Sequence, residues 1–134
     1  MSEGNVELVR RVNAVGSTGD WNAVVEMYHD DVEWRDLQHA PDAPEVVRGK
    51  AAVAALGAQW SEAFGELKHD VFGYIDVGPW VICDSHWRAT GKGSQLEIDQ
   101  RCADAYEVRE GKVARAVLGY ADVATALKAL GLEE

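Results

Sequence analysis

Cysteine is scarce: Cys83 and Cys102 are the only two in a chain of 134 residues. Two thiols cannot build a secreted disulfide framework, and without a CxxC spacing they offer no zinc or redox site. Reduced thiols of a cytosolic protein are the expectation. The four histidines, His29, His39, His69 and His86, include no HxH or HxxxH pair, so no metal is expected, and no cofactor. Basic side chains are also few, 13 against 23 acidic ones, which leaves a net charge of −10. A chain this acidic has no basic stripe for phosphates, which argues against nucleic acid and anionic membranes as partners. No apolar run approaches the roughly 18 residues of a membrane helix, and Met1-Ser2-Glu3-Gly4-Asn5 lacks the basic start of a signal peptide. The expectation is a soluble, cytoplasmic protein, with small apolar or aromatic molecules left open as partners.

What is abundant is apolar surface, 47% of residues, and tryptophan, of which there are five. The length predicts a single domain over 1–134 with a core that needs no staple. Asn5 stands before Val6, Leu8, Val9, Val12 and Val15, a helical stripe with an N-cap residue at its head. Asp20 is placed to cap a second helix carrying Trp21, Val24, Val25 and Tyr28. From Asp31 the period becomes two, and a short strand ends at Asp36. Pro41 and Pro44 mark a loop up to Gly49, and a third helix is predicted from about Lys50 to Phe64.

Four strands follow, at about Leu67–Val77, Trp80–Thr90, Gln95–Val108 and Val113–Tyr120. Their turns fall at Gly78-Pro79, Gly91-Lys92-Gly93 and Glu110-Gly111; the second, with Ser94, is a hairpin turn and not a phosphate cradle, since no helix begins there. Asp122 can cap a last helix through Val123, Leu127 and Leu130 that ends at Gly131. The order predicts an α+β fold: a cone-shaped, curved antiparallel sheet packed by three helices of the N-terminal half, with a short C-terminal helix. A cone of this kind encloses a concave site for a small ligand.

Most carboxylates are solvated, so only those forced onto an apolar face are informative. Asp36 follows Val32 and Trp34 at period two and turns inward with them. On the third long strand Ile98, Gln100, Cys102, Asp104, Tyr106 and Val108 form one face; Glu97, Asp99, Arg101, Ala103, Ala105, Glu107 and Arg109 form the other, which by charge is the wet one. Asp104 therefore sits on the drier side. A carboxyl in apolar surroundings is a stronger base when charged and a hydrogen-bond donor when protonated. Asp36 as a turn former, and Asp104 as a group satisfied by Tyr106, Gln100 or a backbone amide, are the plainer alternatives.

Gly19-Asp20-Trp21, Met27-Tyr28-His29-Asp30-Asp31-Val32-Glu33-Trp34-Arg35-Asp36, Val47-Arg48-Gly49-Lys50, Arg109-Glu110-Gly111-Lys112-Val113 and Tyr120-Ala121-Asp122 together resemble the SnoaL-like branch of the nuclear-transport-factor-2-like fold. Within that superfamily the two aspartates are similar in placement to those of ketosteroid isomerase. The resemblance implies Asp36 at the position of the general base and Asp104 at that of a protonated aspartic acid facing an oxyanion. It also implies a homodimer formed through the exposed sheet face.

The departures are specific. The isomerase's helix-one tyrosine falls at Asn13 or Val12, so its phenol is absent, and Asn13 is left as a weaker donor. A polyketide-cyclase-like enzyme would want an aspartate around Leu118 or Gly119, and an epoxide-hydrolase-like one an arginine and an aspartate where Cys83 and Ser85 stand. Both are demoted. Gly57, on the buried stripe between Val53 and Trp60, costs a helix roughly 1 kcal/mol. It serves either an enlarged cavity for a flat ligand walled by Trp34, Trp60, Trp87 and Tyr106, or close helix-to-sheet packing.

The leading expectation is a cofactor-independent isomerase or lyase. Asp104 or Asp36 would act as general base on an activated carbon acid, and the other carboxyl, with Tyr106, Asn13 or Gln100, would meet the developing charge. Trp34, Trp60, Gly57, Trp87, Gln100 and Cys102 are the expected substrate-binding residues. A non-catalytic binding protein for an aromatic or polycyclic molecule is the alternative from another class.

Overall fold

The computed structural model describes the backbone of residues 2–37, 46–91 and 97–132, and the side chains of 4–37, 46–62, 68–91 and 97–132. Helix α1 spans Ser2–Gly16 and α2 Trp21–Val25; β1 runs Tyr28–Asp36 and β2 Val47–Arg48. Helix α3 spans Lys50–Ala63, then come β3 (Phe64–Val77), β4 (Trp80–Gly91), β5 (Glu97–Arg109), β6 (Lys112–Tyr120) and α4 (Val123–Ala129). The strands form one curved sheet in the order β2-β1-β6-β5-β4-β3, so the α+β architecture matches the expectation.

Local chemistry sets the boundaries. The Asp20 side chain accepts from the Ala23 N–H at 3.2 Å and starts α2; the Asp122 side chain accepts from the Thr125 N–H at 2.7 Å and starts α4. Gly131, at φ 71°, ends α4, with the Leu132 N–H returning to the Leu127 carbonyl at 2.8 Å. Glu110 and Gly111 both have positive φ, 53° and 76°, the backbone of the tight hairpin between β5 and β6.

Three expectations need correction. Asn5 does not cap α1, because the helix begins three residues earlier, at Ser2. Tyr28 is not on the second helix. It opens β1, because the chain there pairs in parallel with β6: Tyr28 faces Val113, and the Val113 N–H reaches the Met27 carbonyl at 2.9 Å. Parallel pairing joins segments far apart in sequence and leaves no local signal. The set taken as the wet face of β5 is also dry in its middle: Ala103 and Ala105 are fully buried in a second apolar cluster with Trp80, Ile82 and Ala126 of α4. Residues 92–96, including most of the expected turn after Gly91, and 38–45, including His39, lie outside the described residues.

The main core fills the concave face of the sheet, where Val9, Val12, Val24, Tyr28, Val32, Val53, Val81, Cys83, Tyr106 and Val113 meet under α1, α2 and α3. The convex face carries α4 at one end. Phe72 stands on that face 59% exposed, under the Arg101 guanidinium at 4.4 Å. No described helix is long and apolar enough to cross a membrane.

Candidate functional site

A hollow opens between the concave face and helices α2 and α3, enclosing about 690 Å³ with its mouth included. Its walls hold four indoles, Trp21, Trp34, Trp60 and Trp87, together with Val53, Leu56, Ile98 and Leu118. Gly57, Cys102, Gly119 and the two carboxyls Asp36 and Asp104 complete it. Of the substrate-binding residues expected from the sequence, Trp34, Trp60, Gly57, Trp87 and Cys102 line this space.

The pleat of β1 buries Val32 and Trp34 and brings Asp36, half-buried, to the strand's last position, opposite Leu118 of β6. Asp104 is buried completely. Its Oδ2 accepts from the Trp87 indole N–H at 2.8 Å, and its Oδ1 from the Gly119 N–H at 3.0 Å and the Cys102 thiol at 3.5 Å. The Ser85 hydroxyl, which donates to the Cys83 carbonyl at 3.5 Å, stands beside the carboxyl and favours its charged form. Burial pushes the Asp104 pKa up, and these donors hold it back, since each favours the charged form. The Cys102 thiol is pushed well up, first by burial and then by the negative charges of Asp104 and Asp36. Both acids therefore act on one point of the wall.

The Gly119 donor comes from a break in the ladder. Ala103 pairs with Tyr120 but Ala105 pairs with Val117, so Leu118 and Gly119 together oppose Asp104 in a β-bulge. Gly119 adopts φ 94°. A side chain there would strain the backbone, so the position where a cyclase-like aspartate was sought supplies an amide instead.

Two partners of Asp104 escaped the sequence analysis. His69 of β3 stacks on Trp87, ring centroids 3.5 Å apart and planes 7° from parallel. Its Nε2 shares a hydrogen bond with Ser85 Oγ at 3.0 Å and lies 3.9 Å from Asp104 Oδ2. Burial lowers the His69 pKa to about 4, with the charge of Asp70 opposing, so the ring is neutral over most of the pH range. Period two places His69 and Ser85 on the inner faces of β3 and β4, but only the cross-strand pairs His69 with Trp87 and Ser85 with Cys102 bring them beside Asp104. Gly119 had one legible signal, a glycine inside a strand pattern.

Asn13 and Tyr106 come together, the phenol donating to Asn13 Oδ1 at 3.4 Å and Asn13 Nδ2 reaching Cys83 Sγ at 3.7 Å. Tyr106 sits in the core with Asn13 half-buried beside it, and neither is among the residues lining the hollow. Gln100 shares the inner face of β5, with its Nε2 buried and lacking a hydrogen-bond partner, and it too stands outside the lining. Gly57 meets a neighbour from the next helix: a Cβ on it would lie 2.2 Å from Trp21 Cδ2. The close approach is thus between helices, not between helix and sheet. No group of three or more His, Cys, Asp or Glu suited to a metal occurs among the described residues.

This architecture is shared widely. A protein of ketosteroid isomerase-like fold from Catenulispora acidiphila DSM 44928, solved in complex with trimethylamine, superposes with a TM-score of 0.74 at 17% identity, over 95% of this chain and 94% of its own. A nuclear-transport-factor-2-like protein from Burkholderia xenovorans LB400 does so with 0.73 at 23% identity, over 96% and 97%. TerC, co-crystallised with polyporic acid, gives 0.73 at 17% identity, over 85% and 88%. At such identities the likeness establishes the fold alone. No curated protein matches the chain. The SnoaL-like domain matches residues 9–116, nearly all of the sheet and the helices that close the hollow over it, and the chain belongs to that family.

Proposed function

We propose that the hollow is the active site of a cofactor-independent proton-transfer enzyme of the isomerase or lyase type, acting on an activated carbon acid. The observation that carries this is the convergence of Asp36 and Asp104 on one apolar cavity. Asp36, at the strand end and half-buried, is the base. Asp104 is the group that burial drives toward its neutral form, and as a neutral acid it can donate to charge developing on the substrate. Ser85 and His69 hold that carboxyl, and Asn13, Tyr106 and Gln100 shape the face beside it.

Trimethylamine and polyporic acid accompany two structures of the same fold, which supports the hollow as a place for small molecules. A binding protein without turnover is the second reading, favoured by the full set of donors already on Asp104. A homodimer through the convex face, where Phe72 stands exposed, belongs to the same proposal.

The test uses 5-nitrobenzisoxazole, whose ring opens when a carboxylate takes its carbon-bound proton. Asp36→Asn is expected to lower kcat by about a hundredfold or more, and Asp104→Asn to lower it less. Equal turnover in both variants and the parent chain removes the enzyme reading; quenching of tryptophan fluorescence without turnover in the parent leaves the binder.

A further inference from the structure

We infer that His69 is a positioning residue: it backs the Trp87 indole from β3, so that one face of Trp87 is spent within the fold and the other is a fixed stacking platform for a planar conjugated ring whose polar edge meets Asp104. The inference rests on the hollow being the ligand site and adds where a ligand lies in it. His69 and Trp87 are direct cross-strand partners, with ring centroids 3.5 Å apart and planes 7° from parallel, so the two rings overlap with little offset. The imidazole is 2% exposed and is not among the residues lining the hollow, whereas Trp87 is half-buried and lines it. What Trp87 turns to the hollow is therefore its other face and its edge.

Full overlap is not what two aromatic rings adopt by themselves, since offset or edge-on arrangements suit their quadrupoles better. The surroundings of the imidazole impose it. Ser85 has one hydrogen, directed to the Cys83 carbonyl at 3.5 Å, so the hydrogen in the 3.0 Å contact between His69 and Ser85 Oγ sits on His69 Nε2. That bond and the β3–β4 ladder fix the imidazole plane, and the plane fixes the indole laid against it. Burial lowers the His69 pKa to about 4, so at neutral pH the stack is between two uncharged rings.

The indole is pinned at a second point. Its Nε1–H donates to Asp104 Oδ2 at 2.8 Å, so the direction of the indole and that of the carboxyl are set together. Across the ladder from Trp87 stands Gln100, and Ile98 and Cys102 on either side of it line the hollow. A flat ring laid on the other face of Trp87 has its edge beside the Asp104 carboxyl, because the indole nitrogen is itself within hydrogen-bond distance of it. A hydroxyl or keto group on that edge is the complement, accepting from the acid or, for a hydroxyl, donating to the carboxylate. A puckered saturated ring has similar apolar bulk but does not match the plane.

Two variants separate the ring of His69 from its nitrogen: His69→Phe keeps a flat ring behind the indole, and His69→Gln keeps an N–H in reach of Ser85 without the ring. Calorimetry compares 2-naphthol with its saturated counterpart decahydro-2-naphthol on each, and the ratio of the two affinities cancels any loss of folded protein. The expected result is a preference of about tenfold for 2-naphthol in the parent chain, kept in His69→Phe and reduced about two- to tenfold in His69→Gln. The Trp87 indole N–H resonance, assigned through Trp87→Phe, reads the same contact without ligand. Its carboxyl acceptor displaces it downfield in the parent chain and in His69→Phe, and in His69→Gln it moves toward the other indoles. Equal affinity of the parent chain for both probes, binding of neither, or an unchanged preference or resonance in His69→Gln overturns the proposal; so does a loss as large in His69→Phe, which assigns the effect to the nitrogen. Absence of benzisoxazole turnover with the preference intact counts against the enzyme reading alone.

Discussion

Replacing Gly57 with alanine tests how the hollow is shaped, because the structure fixes both the collision and what it displaces. The new Cβ would stand 2.2, 2.3 and 2.7 Å from Trp21 Cδ2, Cγ and Cε2. Ordinary contact begins near 3.4 Å, so the indole must retreat by about 1.2 Å at its nearest atom. These atoms lie near the root of the side chain, where a rotamer change gives little relief, so α2 itself has to shift. Overpacking of this kind costs about 1–3 kcal/mol, and alanine returns about 1 kcal/mol of helix propensity. The net expectation in urea unfolding is a loss between about zero and 2 kcal/mol.

The sign in a second background is sharper. In Trp21→Ala the obstacle is gone, and Gly57→Ala should stabilise by about 1 kcal/mol. The double-mutant cycle should show coupling of about 1–3 kcal/mol. The same cost in both backgrounds would refute the packing argument. Because Trp21 also walls the hollow, Gly57→Ala should weaken binding of an aromatic probe even where stability is little changed.

Asp104 makes stability depend on pH. Burial raises its pKa from the ordinary 3.8, so above that value the folded chain keeps a proton the unfolded chain has released. Stability therefore falls as pH rises toward the raised value. Asp104→Asn should flatten that slope in unfolding curves run across the range, and an unchanged slope would assign it elsewhere. Ser85→Ala removes a donor that lowers the Asp104 pKa and orphans the His69 nitrogen; it should cost about 1 kcal/mol and move the Asp104 carboxyl carbon NMR titration to higher pH, with no movement counting against the contact.

The architecture was legible because its elements carry local signals. Asp20 and Asp122 announced their helices, Gly78-Pro79 and Glu110-Gly111 their turns, and alternation on β5 placed Asp104 on the inner face. What stayed hidden was made by pairing at a distance. Tyr28 joins β1 through β6, Ala103 and Ala105 go dry under α4, and His69 reaches Ser85 across the β3–β4 ladder. The aromatic wall was partly visible: Trp34, Trp60 and Trp87 followed from strand and helix phase, whereas Trp21 enters because a glycine on the next helix leaves it room.

The bulge at Leu118 and Gly119 has a consequence for how this protein can change over time. One of the donors steadying Asp104 belongs to the main chain, and a peptide N–H is encoded by every residue except proline. Substitutions among the tryptophans and aliphatics can remodel what the hollow admits without touching that anchor. The form of the hollow can wander among descendants while the buried acid stays tethered, provided position 119 keeps the glycine its left-handed backbone favours.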